Sequence, residues 1–163
     1  MQERNEENYL LKRAFGPLER LLELSVIVMF IVVMIEVVMR YILHGSVAWS
    51  SEVCETLLVW LAFVGGAVAL LYDEHMRISF LVDNIKTTAL RKPVFLVGIA
   101  LTVLFLISGI IGGAELVRRT WNMTTTTLQI PAGIMYAAFP VGCLLMLIVT
   151  LSQLLSALKK RGD

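Results

Sequence analysis

Long apolar runs separated by short polar breaks set the pattern of this chain. Four runs, approximately 21–43, 49–72, 93–117 and 132–158, each reach the length of about 20 residues that a helix needs to cross a hydrocarbon core of roughly 30 Å. The pattern predicts an all-α integral membrane protein, a single membrane domain over 1–163 with four transmembrane helices. The last two runs are long enough to tilt or to project beyond the lipid.

The break between the second and third runs, DEHMRISFLVDNIKTTALRK, is too polar to span and too regular for a plain loop. Ile78, Leu81, Val82, Ile85 and Ala89 recur at helical spacing, Arg77, Asp83, Asn84, Lys86 and Thr88 take the other side, and Phe80 sits at the margin. This predicts an amphipathic helix over 76–90, either in the plane of the membrane interface or packed beneath its own bundle.

Within the spans, small residues four apart mark places where helices approach closely: Gly109 and Gly113, Ser108 and Gly112, Ala62 and Gly66, Ala138 and Gly142. Pro131 suits the start of the fourth span, and Pro140 is expected to kink it. No internal repeat or inverted pair of halves is present.

Composition narrows the classes further. With 58% hydrophobic and 17% charged residues and a net charge of +1, the chain has no basic bias toward nucleic acid. Cys54 and Cys143 stand singly inside apolar segments, which reads as two buried thiols rather than a disulfide or a metal site. The tail MQERNEENYLLKRAFGPLERLLEL carries both signs of charge and leads into a run too long for a signal peptide, so it is expected to be retained as part of a permanent anchor. Basic residues fall mainly in that tail, in the link between the second and third runs at Arg77, Lys86, Arg91 and Lys92, and at Lys159, Lys160 and Arg161, whereas Arg40, Arg118 and Arg119 fall on the other side. Both termini are therefore expected in the cytoplasm.

The first two spans carry ionisable residues, Glu36, Arg40, Glu52 and Glu55, which are costly at depth and call for a use. By helical rise Glu36 lies about 10 Å below Leu43 and Arg40 about 5 Å below it, so Arg40 reaches the outer interface and Glu36 does not. One expectation is an interhelical clamp in which Arg40 holds Glu36 and Glu52, with Trp49 as an interface anchor and Ser50 or Ser51 helping to cap the second span. Three carboxylates facing one arginine leave a surplus: either Glu36 is protonated, or a cation comes from another polypeptide.

Catalytic chemistry is not indicated. No nucleophile and base stand together, His44 and His75 fall on opposite sides of the membrane and cannot bracket a haem, and no metal- or substrate-binding set emerges. The run TTTTLQIP, Thr124 to Pro131, offers hydroxyls at the outer surface and reads as a solvated loop.

Taken together, Arg40-Tyr41, Trp49-Ser50-Ser51-Glu52, Trp60 with Phe63-Val64-Gly65-Gly66-Ala67, His75 ahead of the amphipathic helix, Leu128-Gln129-Ile130-Pro131, Tyr136 and Pro140-Val141-Gly142 form an ordered set. The set resembles the small membrane subunit, the Q or DctQ-like component, of tripartite ATP-independent periplasmic (TRAP) transporters. That resemblance implies a bacterial inner-membrane protein that scaffolds a large multi-span subunit carrying the substrate and sodium sites. A periplasmic solute-binding protein would deliver an organic acid such as a C4-dicarboxylate or a sialic acid. It implies no cofactor in this chain, with sodium coupling in the partner and membrane lipid as a further contact. Glu36, Arg40, Trp49, Glu52, Glu55, Trp60 and His75 become candidates for structural or interface roles, and Arg118, Arg119 and Trp121 for an outer loop that touches the binding protein. The rival reading is a stand-alone proton-coupled multidrug exporter using Glu36, against which the extended tails, the in-plane helix and the competing Arg40 all weigh.

Overall fold

The computed structural model describes residues 2–45, 47–72 and 88–159, and its elements are four helices: α1 (Gln2–Tyr41), α2 (Ala48–Tyr72), α3 (Thr88–Thr120) and α4 (Gly133–Lys159). Each contains a stretch long and apolar enough to cross a membrane, Phe15–Tyr41, Ala48–Tyr72, Val97–Thr120 and Gly133–Ser152. The expected spans differ from these by at most four residues at each end, save at the end of the fourth, 158 against 152, and at the start of α1. There the helix runs on through Pro17 into the polar tail, whose Glu, Leu, Lys and Arg residues are good helix formers. Of the expected amphipathic helix, residues 88–90 belong to the first turn of α3; the remainder, with His75, lies outside the described residues.

Spatial order differs from chain order. Helix α1 packs on α2, α2 on α4, and α4 on α3, so α1 and α3 flank a central pair. Near the terminal end Phe15, Leu71 and Val149 bring α1, α2 and α4 into one buried cluster.

The seams follow from spacing. On α1 the buried and half-buried residues are Phe15, Gly16, Leu18, Glu19, Leu22, Ser25, Met29, Val32, Glu36 and Met39, and from Leu22 onward they alternate strictly by three and four, which keeps one stripe against an antiparallel neighbour. Ser25 fits this apolar seam because its hydroxyl donates to the Leu21 carbonyl of its own helix, 2.8 Å away. The opposite side of α1 is open, with Leu24, Phe30 and Ile31 all more than half exposed. Only 6% of the most apolar window of α1 is buried within the chain, so its flank needs hydrocarbon or another polypeptide around it.

Glycines set the closest approaches. A Cβ on Gly142 of α4 would stand 2.7 Å from Phe63 Cβ and 3.0 Å from the Phe63 carbonyl oxygen on α2, so the two backbones meet there only because that side chain is missing. On the other flank of α4, Gly113 of α3 receives Phe139 and Pro140, and Gly109 faces Cys143. Phe63 and Phe139 meet edge to face with centroids 5.2 Å apart, tying the two seams together. Of the small pairs in the third span, Gly109 and Gly113 serve this packing, while Ser108 and Gly112 point outward.

A candidate functional site at the loop end of the bundle

The turn from α1 to α2 and the connection from α3 to α4 stand at the same end. At the first, His44 takes a left-handed conformation, φ 52°, and the Gly45 N–H donates to the Met39 carbonyl at 3.0 Å, closing the end of α1. Histidine is among the side chains that tolerate this region better than most. Ser50 and Ser51 donate their hydroxyls back to the carbonyls of Val47 and Ala48, at 2.7 and 3.2 Å, instead of accepting from helix N–H groups as an N-cap would.

The connection between α3 and α4 is built, not loose. Thr124 and Pro131 form an antiparallel bridge, the Thr125 N–H donates to the Ile130 carbonyl at 2.9 Å, and the Ala132 N–H to the Met123 carbonyl at 2.7 Å. Gln129, φ 53°, turns the tip. The expected solvated run TTTTLQIP is therefore a short hairpin. Gly133 starts α4 directly beneath Trp121, where a Cβ would come within 2.8 Å of the indole ring.

Glu52 joins the two connections. Its Oε1 accepts from the Thr127 N–H at 2.7 Å and its Oε2 from the Leu128 N–H at 2.9 Å, so one carboxylate grips two successive peptide groups at the hairpin tip. Hydrogen bonds to an ionised acceptor are stronger than neutral ones. Below it, the Trp60 Nε1–H donates to the Ile134 carbonyl at 3.2 Å, a second tie from α2 to the start of α4. At the opposite end of the bundle the Tyr72 hydroxyl donates to Glu19 Oε1 at 2.6 Å, joining α2 to α1.

This arrangement replaces the expected arginine clamp. Among the described residues the one ion pair is Arg119 with Glu115, 2.9 Å apart and one helical turn away on α3. Arg40 is exposed and holds neither Glu36 nor Glu52. The reason is rotational: the side of α2 that carries Glu52 faces the hairpin, whereas Glu36 lies half-buried in the α1 seam. Glu55 lies on the outer side of α2 and is exposed. Trp49 and Trp121 are 39% and 52% exposed, whereas Trp60 is half-buried, so these two leave aromatic surface open at this end. Arg118 is exposed beside the engaged Arg119.

Sequence reasoning missed the Tyr72–Glu19 and Trp60–Ile134 ties, since both depend on the register between helices. Among the described residues no group of three or more His, Cys, Asp or Glu side chains is placed to hold a metal ion. What the site offers is a braced surface: a hairpin fixed to α2, with exposed aromatic and charged residues around it.

Comparison with known proteins bears on the family. Residues 29–160 match the family described as tripartite ATP-independent periplasmic transporters, DctQ component. The C4-dicarboxylate TRAP transporter small permease protein DctQ of Rhodobacter capsulatus is 30% identical over 105 residues, covering 62% of this chain and 45% of that protein. The sialic acid TRAP transporter small permease protein SiaQ of Vibrio cholerae is 29% identical over 121 residues, covering 74% of this chain and 69% of that protein. The chain thus spans less than half of the first relative and about two thirds of the second.

Proposed function

Because this chain belongs to the DctQ component family of tripartite ATP-independent periplasmic transporters, we propose that it is the small scaffold subunit of a TRAP-type secondary transporter. In this reading it sits in the bacterial inner membrane with both termini in the cytoplasm. It steadies a large multi-span subunit that imports an organic acid by sodium symport, the solute arriving on a periplasmic binding protein. The names of the two relatives point to a C4-dicarboxylate or a sialic acid as the solute class.

The observation that carries the reading is the Glu52 grip. A subunit that holds still while a neighbour moves needs its helices fixed to one another, and α2 is fixed to the hairpin by Glu52, to α4 by Trp60 and the Gly142 notch, and to α1 by Tyr72. The apolar flank of α1 is then surface for a membrane partner or lipid. Arg40 on α1 and Glu55 on α2 supply exposed charge for a partner while Glu36 sits within the seam between helices, and the hairpin with Arg118, Arg119 and Trp121 supplies an outer face for the binding protein.

Co-expression with the neighbouring membrane protein tests this. The chain should co-purify with it, and proteoliposomes should take up the acid only with sodium, the large subunit and the binding protein all present. Solute accumulation by this chain alone would overturn the proposal and return Glu36 to the exporter reading.

A further inference from the structure

The geometry points to a binding site on α1 for an anionic glycerophospholipid whose headgroup carries hydroxyl groups. A cleft of about 740 Å³ lies at the terminal end of the first span, lined by Arg13, Gly16, Pro17, Arg20, Leu21 and Leu24. A water molecule occupies roughly 30 Å³, so the cleft admits a headgroup as well as solvent.

Three features of its lining select the occupant. Arg13 and Arg20 are two turns apart on one face, about 10 Å along the axis, and both border the cleft. A Cβ on Gly16 would meet nothing within 4 Å, which keeps the stretch between them open. Two guanidinium groups, with no acid among the described lining residues, call for phosphate oxygens.

Pro17 adds an acceptor. It lies inside α1 and has no N–H, so the carbonyl of Arg13, another lining residue, receives no hydrogen bond from position 17. A hydroxyl beside the phosphate satisfies that carbonyl, whereas an ethanolamine ammonium would meet two fixed positive charges. The nearby carboxylate of Glu19 accepts from Tyr72 and so is engaged with α2.

The apolar part fixes the source as lipid. Leu21 and Leu24 form the inner wall, and Leu24, Ile31 and Val38 follow at intervals of seven along the same side of α1. The last two line an apolar groove completed by Phe30, Met34, Ile35 and Met39. An acyl chain laid along this stripe continues directly from a phosphate held between the arginines.

The test uses the full chain in nanodiscs containing phosphatidylglycerol and phosphatidylethanolamine in equal amounts, with co-purified lipid read by native mass spectrometry. It needs no transport partner, so its outcome is separate from that of the scaffold proposal. The unaltered chain should retain phosphatidylglycerol over phosphatidylethanolamine by roughly thirtyfold, the size that two basic residues at a membrane surface supply at about 1 kcal/mol each. Arg13→Gln with Arg20→Gln should bring the ratio near parity, and so should Gly16→Leu, which fills the cleft but keeps both charges. Retention of the preference in the double variant overturns the site; retention in Gly16→Leu reduces it to diffuse attraction and overturns it equally. Complete displacement of the lipid by excess inorganic phosphate would also overturn it, since the site would then be one for free phosphate. If neither variant folds, titration of the unaltered chain decides: saturation at one phosphatidylglycerol supports the site, and uptake without saturation refutes it.

Discussion

Glu52 and Leu128 lie 76 positions apart in the chain, yet Glu52 Oε2 accepts a 2.9 Å hydrogen bond from the Leu128 N–H, while Oε1 takes the adjacent Thr127 N–H. The contact fastens the tip of the α3–α4 hairpin to the first turns of α2. In Glu52→Ala the amides of Thr127 and Leu128 lose their acceptors and should exchange with solvent much faster, while the Ala132 amide, held by Met123, should stay protected. Glu52→Gln keeps one carbonyl acceptor and should protect one of the two amides. Hydrogen–deuterium exchange resolved along residues 121–132 reads both outcomes.

A glycine series separates close backbone approach from mere smallness. At Gly142 an added methyl group would run into Phe63 Cβ and the Phe63 backbone, so Gly142→Ala should cost about 1–3 kcal/mol, the usual range for overpacking. At Gly66 the obstacle is Met146 Cε, the flexible end of a side chain that swings aside, so Gly66→Ala should cost less. At Gly112 no atom lies within 4 Å, and Gly112→Ala should be neutral or stabilising, alanine being the better helix former. Thermal unfolding of the three variants in one detergent checks the order.

Trp60 tests the tie between α2 and α4. Trp60→Phe keeps an aromatic ring but removes the Nε1–H donor to the Ile134 carbonyl, and should destabilise by about 0.5–1.5 kcal/mol. Trp60→Phe combined with Glu52→Ala should loosen the start of α4 more than either alone, visible as faster exchange at Ile134 and Met135.

Much of the fold was legible in the sequence because a membrane span is declared locally, by about 20 apolar residues in a row. Seams were legible in part. Gly109, Gly113 and Gly142 do mark close approaches, but Ser108 and Gly112 share the same spacing and face outward, and spacing alone does not say which side of a helix meets a neighbour. The Glu52 contact escaped for that reason. Opposite charge suggested Arg40, whereas the partner is backbone of a hairpin whose N–H groups carry no mark in the sequence. Both sides of that contact stood among the motifs of the family resemblance, Trp49-Ser50-Ser51-Glu52 and Leu128-Gln129-Ile130-Pro131, as separate stretches. The structure joins them.

Charge reversal distinguishes residues already engaged from those open to a partner. Arg119→Glu breaks its pair with Glu115, an exposed contact worth about 0.3–0.5 kcal/mol, so stability should barely move. Arg118→Glu alters an exposed charge beside it, and in the proposed complex should slow solute delivery by the binding protein at unchanged expression. Glu55→Arg, on the outer side of α2, should reduce recovery of the large subunit in a pull-down. Unchanged recovery would remove Glu55 from that interface.

The row order α1, α2, α4, α3 has a consequence for biogenesis. Each half of the chain is an antiparallel pair that a translocon can release complete, and one plane of contact, Phe63 on one half against the notch at Gly142 on the other, remains to be made afterwards within the bilayer. Assembly of the whole then reduces to the lateral meeting of two finished pieces, and a fault at position 142 would leave both inserted and unmarried.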